Sequence, residues 1–492
     1  MKGLSKSRIQ AHRQCPRRLW LQTFKPEAAK EDPAADQRMA AGTQAGEIAR
    51  DLYPGGHLID AGSLDECLTE TRQFLASQPD SPLFEATCEY QGVLVRADLL
   101  IPDGQQHRLV EVKSSTSVKD YHYDDATIQA WVCRGAGIDL SRVAIAHIDN
   151  QFVYPGEHDY RGLFREADIT AEVMAQEEAV SGWASAARET LAGEEPDIAP
   201  GDQCHSPFTC PFFEHCQPLD PADEERYPPG ILPYGGRLAD ELETEGYTDL
   251  REVPEARLEN PRHLRVWRAT RNNATEIDPA AGDFLAALPW PRYYIDFETM
   301  QFAVPIWKGT RPYQQIPFQW SCHIEYPQVP MEHLAFLADN MGDPRHDFAR
   351  TLLRAIGDTG PIFVYNAGFE SRILRELAEA FPDLAEPLLA ACERIVDLLP
   401  LARKHYYHPA MRGSWSIKAV LPTIAPDLDY QTLAVGDGGM AQEAFGEILD
   451  PETDPERRHS LRDALLEYCK LDTLAMVRLA HFFQEHGADA TG

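Results

Sequence analysis

Two β-rich runs joined by a turn constrain this chain most. Residues 93–101 read VLVRADLLI and residues 109–113 read LVEVK, with PDGQQH between them. Runs rich in Val, Leu and Ile, separated by a Pro-Asp-Gly turn, predict a β-hairpin. Residues i and i+2 of a strand share a face, so Glu111 and Lys113 project together. Asp98 on the paired strand reaches the same place. A fold built around this hairpin is part β-sheet and presents two carboxylates and an ammonium side by side. Such a set binds a divalent cation that activates water and offsets phosphate charge. The lysine would stabilise the pentavalent charge or hold the attacking water.

At 492 residues the chain is too long for one core, and two or three domains are expected. Its 43% hydrophobic and 25% charged residues exclude global disorder. No apolar run reaches 18 residues, and MKGLSKSRIQAHRQCPRRLW lacks the apolar stretch of a signal peptide. A cytoplasmic protein with no membrane partner is the expectation. Three segments are expected: 1–218, a short helical connector over 219–285 rich in Pro, Glu and Arg, and 286–492. The net charge of −32 argues against coating nucleic acid by bulk attraction. Two basic islands stand out against it. The first 26 residues hold seven Lys/Arg, among them Lys2 and Lys6, and no acid. Arg262, Arg265, Arg268 and Arg271 recur every third residue, which places them near one another along a helix. They are expected to contact phosphates, with Trp267 among them stacking on a base.

Cys204, Cys210 and Cys216 follow one another at equal spacing, and Cys15 stands in a QCPRR segment far upstream. Four thiolates ligate zinc or an iron–sulfur cluster. Cys67, Cys88, Cys133, Cys322, Cys392 and Cys469 are scattered and read as core thiols.

A third constellation lies near the other end. YYIDFET reads as a buried strand with Asp296 and Glu298 on one face. VYNAGFESRILREL reads as a strand end turning into a helix, with Asn366 and Glu370 near the turn. EYCKLDTLAM reads as helical, with Tyr468 and Asp472 four apart on one face. Acids gathered from a strand and two helices repel one another unless cations bind. Two cations would stabilise the attacking and leaving oxygens of phosphodiester cleavage.

These residues carry two resemblances. Asp98, twelve residues, then Glu111-x-Lys113 resembles the PD-(D/E)xK nuclease superfamily. Glu47 in QRMAAGTQAGEIARDLY, Gln129 in DDATIQAWVC and the opening LSKSRIQAHRQCPRRLWL are similar to its RecB-like branch. That resemblance implies Asp98 and Glu111 as Mg²⁺ or Mn²⁺ ligands, with Glu47, Lys113 and Gln129 completing the catalytic set. One early cysteine plus three late ones resembles the clasp of the iron–sulfur members, such as the AddB subunit and CRISPR-associated nucleases. It implies a structural [4Fe–4S] cluster on Cys15, Cys204, Cys210 and Cys216. The late triplet here is C-x5-C-x5-C where theirs is usually C-x2-C-x5-C, and zinc stays as the alternative.

D-x-E, then N-x-x-F-acid, then Y-x-x-x-D resembles the tyrosine subgroup of DEDD exonucleases. Gly413–Lys418, GSWSIK, resembles the segment between their second and third motifs. This implies an RNase H-like fold, with Asp296, Glu298 and Asp472 as Mg²⁺ or Mn²⁺ ligands and Tyr468 positioning water. Glu370 takes a place normally held by aspartate, and Asp397 is a weaker candidate for the same role. As a whole the chain resembles an uncharacterised bacterial family, a domain of unknown function, that joins the two kinds of domain.

The expectation is therefore an α/β multidomain nuclease. A restriction-endonuclease-like core with an iron–sulfur clasp would occupy 1–218, and an RNase H-like 3′–5′ exonuclease 286–492. It would hydrolyse single-stranded DNA, or RNA, in DNA repair or phage defence. No G-x-x-x-x-G-K-[ST] is present, so unwinding would need a helicase partner. The alternative is a non-catalytic or singly catalytic nucleic-acid-binding subunit of a larger complex.

Overall fold

The computed structural model describes residues 4–30, 32, 35–78, 80–217, 225–428, 430 and 433–487. It is an α/β protein with mixed sheets. It divides into two compact units, Met1–Leu219 with Gln301–Gln314, and Asp220–Met300 with Gln315–Gly492. The segment boundary expected at 218–219 and the basic residue Lys2 lie outside the described residues.

The first unit is built on a seven-stranded sheet. Its strands are β1 (Leu4–Ser5), β2 (His57–Leu58), β3 (Leu83–Tyr90), β4 (Val93–Asp103), β5 (Gln106–Lys113), β6 (Leu140–Ile148) and β7 (Phe164–Asp168). The order is β2-β3-β4-β5-β6-β7, with β1 parallel to the start of β4. The hairpin β4–β5 is antiparallel, from Leu99 opposite Val110 to Asp103 opposite Gln106. β5 and β6 run parallel, so the chain must cross over between them. The helix Asp120–Gly135 does this and buries Ala126, Ile128, Ala130 and Val132. They join the core with Val95, Ala97, Val143 and Ile145. Near the start of the chain, helix Lys6–Gln14 is capped by Ser5 and stops at Cys15, whose backbone is extended. Pro16 then opens the next helix, Pro16–Phe24, at its first turn, where a missing N–H costs nothing.

Residues 301–314 belong to this unit, although in sequence they lie between two strands of the other sheet. Ala303 and Val304 are buried with Ile148, Tyr154, Tyr160 and Leu163. Tyr160 Oη donates to Pro305 O at 3.2 Å, Tyr154 N to Thr310 O at 2.9 Å and Gly309 N to Tyr154 O at 2.8 Å. Tyr313 Oη donates to the carbonyl of Ser114, one residue beyond Lys113.

The second unit holds a five-stranded sheet in the order β11-β10-β9-β12-β13. These are β9 (Arg292–Met300), β10 (Ile316–Glu325), β11 (Glu332–Leu337), β12 (Ile362–Val364) and β13 (Ile395–Asp397). β9 to β11 are antiparallel, whereas β12 and β13 run parallel to β9. All of β10 and all of β9 except Asp296 are buried, as expected for strands covered on both faces. A small ribbon pairs β8 (Glu276–Ile277) with β14 (Tyr406–Tyr407). The long helix Pro455–Glu485 starts on Pro455 and is capped by Asp454, whose side chain accepts from Glu456 N and Arg457 N. It packs on β9 and β10. The expected connector is part of this unit. Its helix Pro261–Asn272 buries Val266 and Trp267 in one core with Leu250, Val253 and Met411. Among the described residues no helix is long and apolar enough to cross a membrane.

Candidate functional site

In the first unit the end of β5 faces helix Asp120–Gly135 and the first helix. Glu111 is buried, and its two oxygens divide their partners. Oε1 takes Lys113 Nζ at 2.6 Å and Lys6 Nζ at 3.0 Å, while Oε2 accepts from Gln129 Nε2. Both ammoniums also pair with Asp125, Lys6 at 2.8 Å. Asp98 Oδ2 accepts the Val112 N–H at 2.7 Å. Burial and then the neighbouring Glu111 hold the Asp98 carboxyl well above the usual range. Glu111 goes the other way: burial opposes its charge, but Lys113 and Lys6 outweigh it and depress the carboxyl. The structure thus brings Asp98, Glu111, Lys113 and Gln129 together.

It adds three residues that sequence reasoning missed. Lys6 was read only as part of a basic island, and Asp125 and Glu85 were not singled out. Asp125 stands one helical turn before Gln129, which was the available signal. Glu85, at a positive φ of 53° within β3, lies 3.5 Å from Arg50; burial raises its carboxyl first, against Arg50 and Arg96, and Glu111 adds to the rise. Glu47 is exposed on its helix, Ala35–Asp51, whose buried side is Ala45 and Ala49.

The four cysteines expected to form a cluster line one small pocket, together with Arg17, Arg18 and Leu21. All four are free thiols. Gln14 ties the two ends of the unit at this point, donating to Gln203 O at 2.8 Å and Phe208 O at 2.6 Å. One observation bears on what the thiols would hold. The buried Nε of Arg18 has no partner, and an unsatisfied cationic donor beside four thiols fits an anionic group, a zinc–thiolate site and an iron–sulfur cluster alike.

In the second unit β9 carries Asp296 and Glu298 on one face. Helix Ala367–Ala380 brings Glu370 in its first turn, and the long helix brings Tyr468, Cys469 and Asp472. Glu298, Glu370 and Asp472 are buried, while Asp296 is partly open at the rim. Asp296, Glu298 and Cys469 offer ligand atoms within 4.8 Å of one another. Cys469 Sγ donates to Asp296 Oδ2 at 3.6 Å. Tyr430 Oη donates to Asp472 Oδ1 at 2.6 Å. Lys418 Nζ lies 2.6 Å from Gly436 O and 3.4 Å from Tyr468 Oη.

All four carboxyls are raised above their usual range. Burial is the first cause in each, followed by Asp472 for Asp296 and by Asp296 for Glu298 and for Glu370. For Asp472 burial outweighs the Tyr430 hydrogen bond and Lys418. One oxygen of Glu370 is buried without a partner. Acids so placed could hold a cation: they offer hard oxygen donors with a soft thiol beside them, and Lys418 is the ammonium that acts on them. Asp397 has another task. It accepts from Asn366 N at 3.0 Å, Ala367 N at 2.9 Å and Leu399 N at 2.9 Å, which caps two helix starts. Cys469, expected to be an ordinary core thiol, is buried but sits in the acid centre, three residues from Asp472 on the same helix. Tyr430 was missed, and a loop tyrosine gives no periodic signal.

The basic helix needs a correction. Trp267 is buried, and its Nε1 donates to Val253 O at 2.8 Å, so its ring is core and not a stacking platform. Arg268 makes a bidentate pair with Glu276, at 3.0 and 3.2 Å. Arg265 donates to the carbonyls of Arg403 and Lys404 and lies 3.5 Å from Glu276. Arg271 stacks over Trp267 at 5.0 Å. Arg262 lines an open cavity, and Arg265 lines the one beside it.

Each unit is thus an α/β body whose sheet presents a cluster of sunken acids beside a lysine, and the first also gathers four thiols. A family described as a domain of unknown function (DUF2779) matches residues 293–416. This stretch carries Asp296, Glu298, Glu370 and Asp397. An uncharacterised protein of Ureaplasma parvum is 26% identical over 238 residues, covering 44% of this chain and 34% of its own. Uncharacterised proteins of Mycoplasma pneumoniae and Mycoplasma genitalium are 26% and 23% identical, each covering 39% of this chain and 32% of their own. The chain spans about a third of the length of these relatives. No solved structure matches.

Proposed function

We propose that the chain is a metal-dependent nuclease whose second unit hydrolyses phosphodiester bonds from the 3′ end of single-stranded nucleic acid, DNA in preference to RNA. The observation that carries this is the acid centre: Asp296, Glu298, Glu370 and Asp472 from three elements, with one nearby ammonium, Lys418. Mg²⁺ or Mn²⁺ held by Asp296, Glu298 and Asp472 would offset the phosphate charge and lower the pKa of water. The protein's own contribution is positioning. Tyr430 fixes the Asp472 carboxylate, and Lys418 holds the Tyr468 hydroxyl near the place where water must attack. The motif order supports the DEDD exonuclease class, of RNase H-like fold.

The first unit supports a RecB-like PD-(D/E)xK reading, with Lys113 against Glu111 and Asp98 beside them. The four thiols would hold a [4Fe–4S] cluster as a clasp, zinc being the second choice. A specific observation favours a second reading, in which this unit only grips the strand. Both Glu111 oxygens are already engaged by Lys6, Lys113 and Gln129. Repair or defence against phage, beside a helicase or another partner in the cytoplasm, is the setting this chemistry suits. The test is degradation of 5′-labelled single-stranded DNA and RNA with Mn²⁺, on protein purified without oxygen. A 3′-shortening ladder lost in Asp296→Ala and kept in Lys113→Ala assigns the chemistry to the second unit. The reverse assigns it to the first. No shortening by the wild type defeats the nuclease reading in favour of a binding subunit.

A further inference from the structure

The second unit has a cavity of about 660 Å³ adjoined by one of about 490 Å³, and the two share Arg262 and Arg403 as lining residues. Arg412 lines the larger, and Arg265 and Lys404 the smaller. Among the described residues no aspartate or glutamate lines either one. In a chain of net charge −32 this is a marked local reversal. Arg403 lies 3.4 Å from the hydroxyl of Tyr234, a ring that is 80% exposed. Arg412 is braced by Arg226 O at 2.8 Å and by the Tyr227 ring at 5.2 Å.

The walls of the larger cavity are the elements that serve the acid centre. Tyr365 and Asn366 line it and lead directly into the helix that carries Glu370. Ser416 lines it and caps the helix Ile417–Ile424, which carries Lys418. Tyr365 Oη ties the two walls by donating to Trp415 O at 2.6 Å. At Gly413, with φ of +78°, a Cβ would meet Ile231 O at 1.7 Å, so the joint with the connector admits only glycine.

We propose that this groove binds the phosphate backbone of a single strand whose end enters the acid centre. The assignment deepens the nuclease reading and rests on it for the direction of the strand. Two cavities in series with shared arginines match a polyanion better than one small ligand. The exposed Tyr234 ring is the stacking face that the buried Trp267 does not provide.

The test is fluorescence anisotropy of a labelled oligothymidylate of about 20 nucleotides, in EDTA so that no cleavage occurs. The wild type is compared with Arg262→Glu/Arg403→Glu across a salt series. Arg350→Glu, a part-exposed residue on the helix Arg345–Ile356, away from both cavity linings, controls for charge reversal. The double variant should bind at least about tenfold more weakly, and its slope of log K against log salt should fall by about 1.4, for two lost single-strand contacts. The control should match the wild type, and the double variant should melt with it.

Should the double variant misfold, Arg262→Ala and Arg403→Ala singly must each lower the slope by about 0.7. Equal affinity and slope in variant and wild type would overturn the groove. So would full competition by thymidine monophosphate at concentrations where it occupies one small site, or no binding by the wild type. Cleavage with Mn²⁺ is read separately. Groove-dependent binding without cleavage defeats only the nuclease reading, and cleavage with groove-independent binding defeats only the groove.

Discussion

Replacing Asp296 by asparagine should make the metal-free protein more stable while removing its response to Mn²⁺. In the second unit Asp296 and Glu298 place carboxylate oxygens within 4.8 Å of each other. Two unit charges at that distance or closer repel by about 3.5 kcal/mol or more at an effective dielectric of about 20. Proton uptake by one carboxyl relieves much of this, so the gain is smaller than the full repulsion. Asparagine keeps the size and one acceptor oxygen for Cys469 Sγ. In EDTA the variant should therefore gain about 1–3 kcal/mol, or a rise in melting temperature of about 2–12 °C for a unit of this size. Added Mn²⁺ should reverse the ranking. At one hundred times its dissociation constant a bound ion stabilises the wild type by about 2.7 kcal/mol, and the variant, lacking a ligand charge, should gain little. Calorimetry at pH 8, with and without Mn²⁺, reads both. An Asp296→Asn protein that melts below the wild type in EDTA, or shifts equally with Mn²⁺, would refute the reasoning.

Three further outcomes are expected. His323 and His333 in the second unit are pushed down to about 3 and about 4, by burial first and then by His333 and Lys470 for His323 and by Lys470 for His333. Glu325 acts on His323 the other way, and Thr473 Oγ1 lies 2.8 Å from its Nδ1. Because the fold favours the neutral rings, their stabilisation is present above about pH 6.5 and is lost as pH falls. By pH 4 the loss at His323 reaches at most about 3 kcal/mol. Urea denaturation from pH 7 to pH 4 should show a shallower decline in His323→Gln than in the wild type. Trp267→Ala should cost about 3–5 kcal/mol in urea, whereas a stacking residue on the surface would cost little. Cys204→Ser, purified without oxygen, should lose its iron and the broad visible absorbance of an iron–sulfur cluster. Stoichiometric zinc in both proteins would identify the alternative metal.

How far the sequence could be read depended on the kind of signal. Asp296 with Glu298, and Glu111 with Lys113, were legible because a strand repeats every two residues whatever covers it. Tyr468 and Asp472 were legible by the same logic on a helix. The arginines of Pro261–Asn272 show where periodicity misleads. Their three-residue spacing is real, but His263, Val266, Trp267 and Thr270 form the buried stripe of that helix. That i, i+3, i+4, i+7 pattern decides the fate of Trp267. Lys6 was not legible, because its partner Glu111 is 105 residues away and only the folded sheet brings them together; Asp125 was marked only by its place one helical turn before Gln129. Residues 301–314 carry no mark in composition to say which core receives Ala303 and Val304.

The two acid centres differ in charge balance, and that difference decides what each needs. In the first unit Asp98, Glu111 and Asp125 face Lys6 and Lys113, which leaves one net negative charge when all are ionised. Buried pairs hold their geometry when their hydrogen bonds are satisfied, and Gln129 completes the set on Glu111. This centre is ordered by its own lysines, so an incoming cation must compete with Lys6 for Glu111. In the second unit four acids face Lys418, which acts on Asp296, Glu298 and Asp472, and three net negative charges remain when all are ionised. Here a cation displaces protons and no lysine salt bridge, and it relieves a repulsion built into the fold. The second centre should therefore fill at lower Mn²⁺ than the first, and a titration of cleavage against Mn²⁺ should separate the two. Lys6→Met should lower the Mn²⁺ needed by the first unit and leave the requirement of the second where it was.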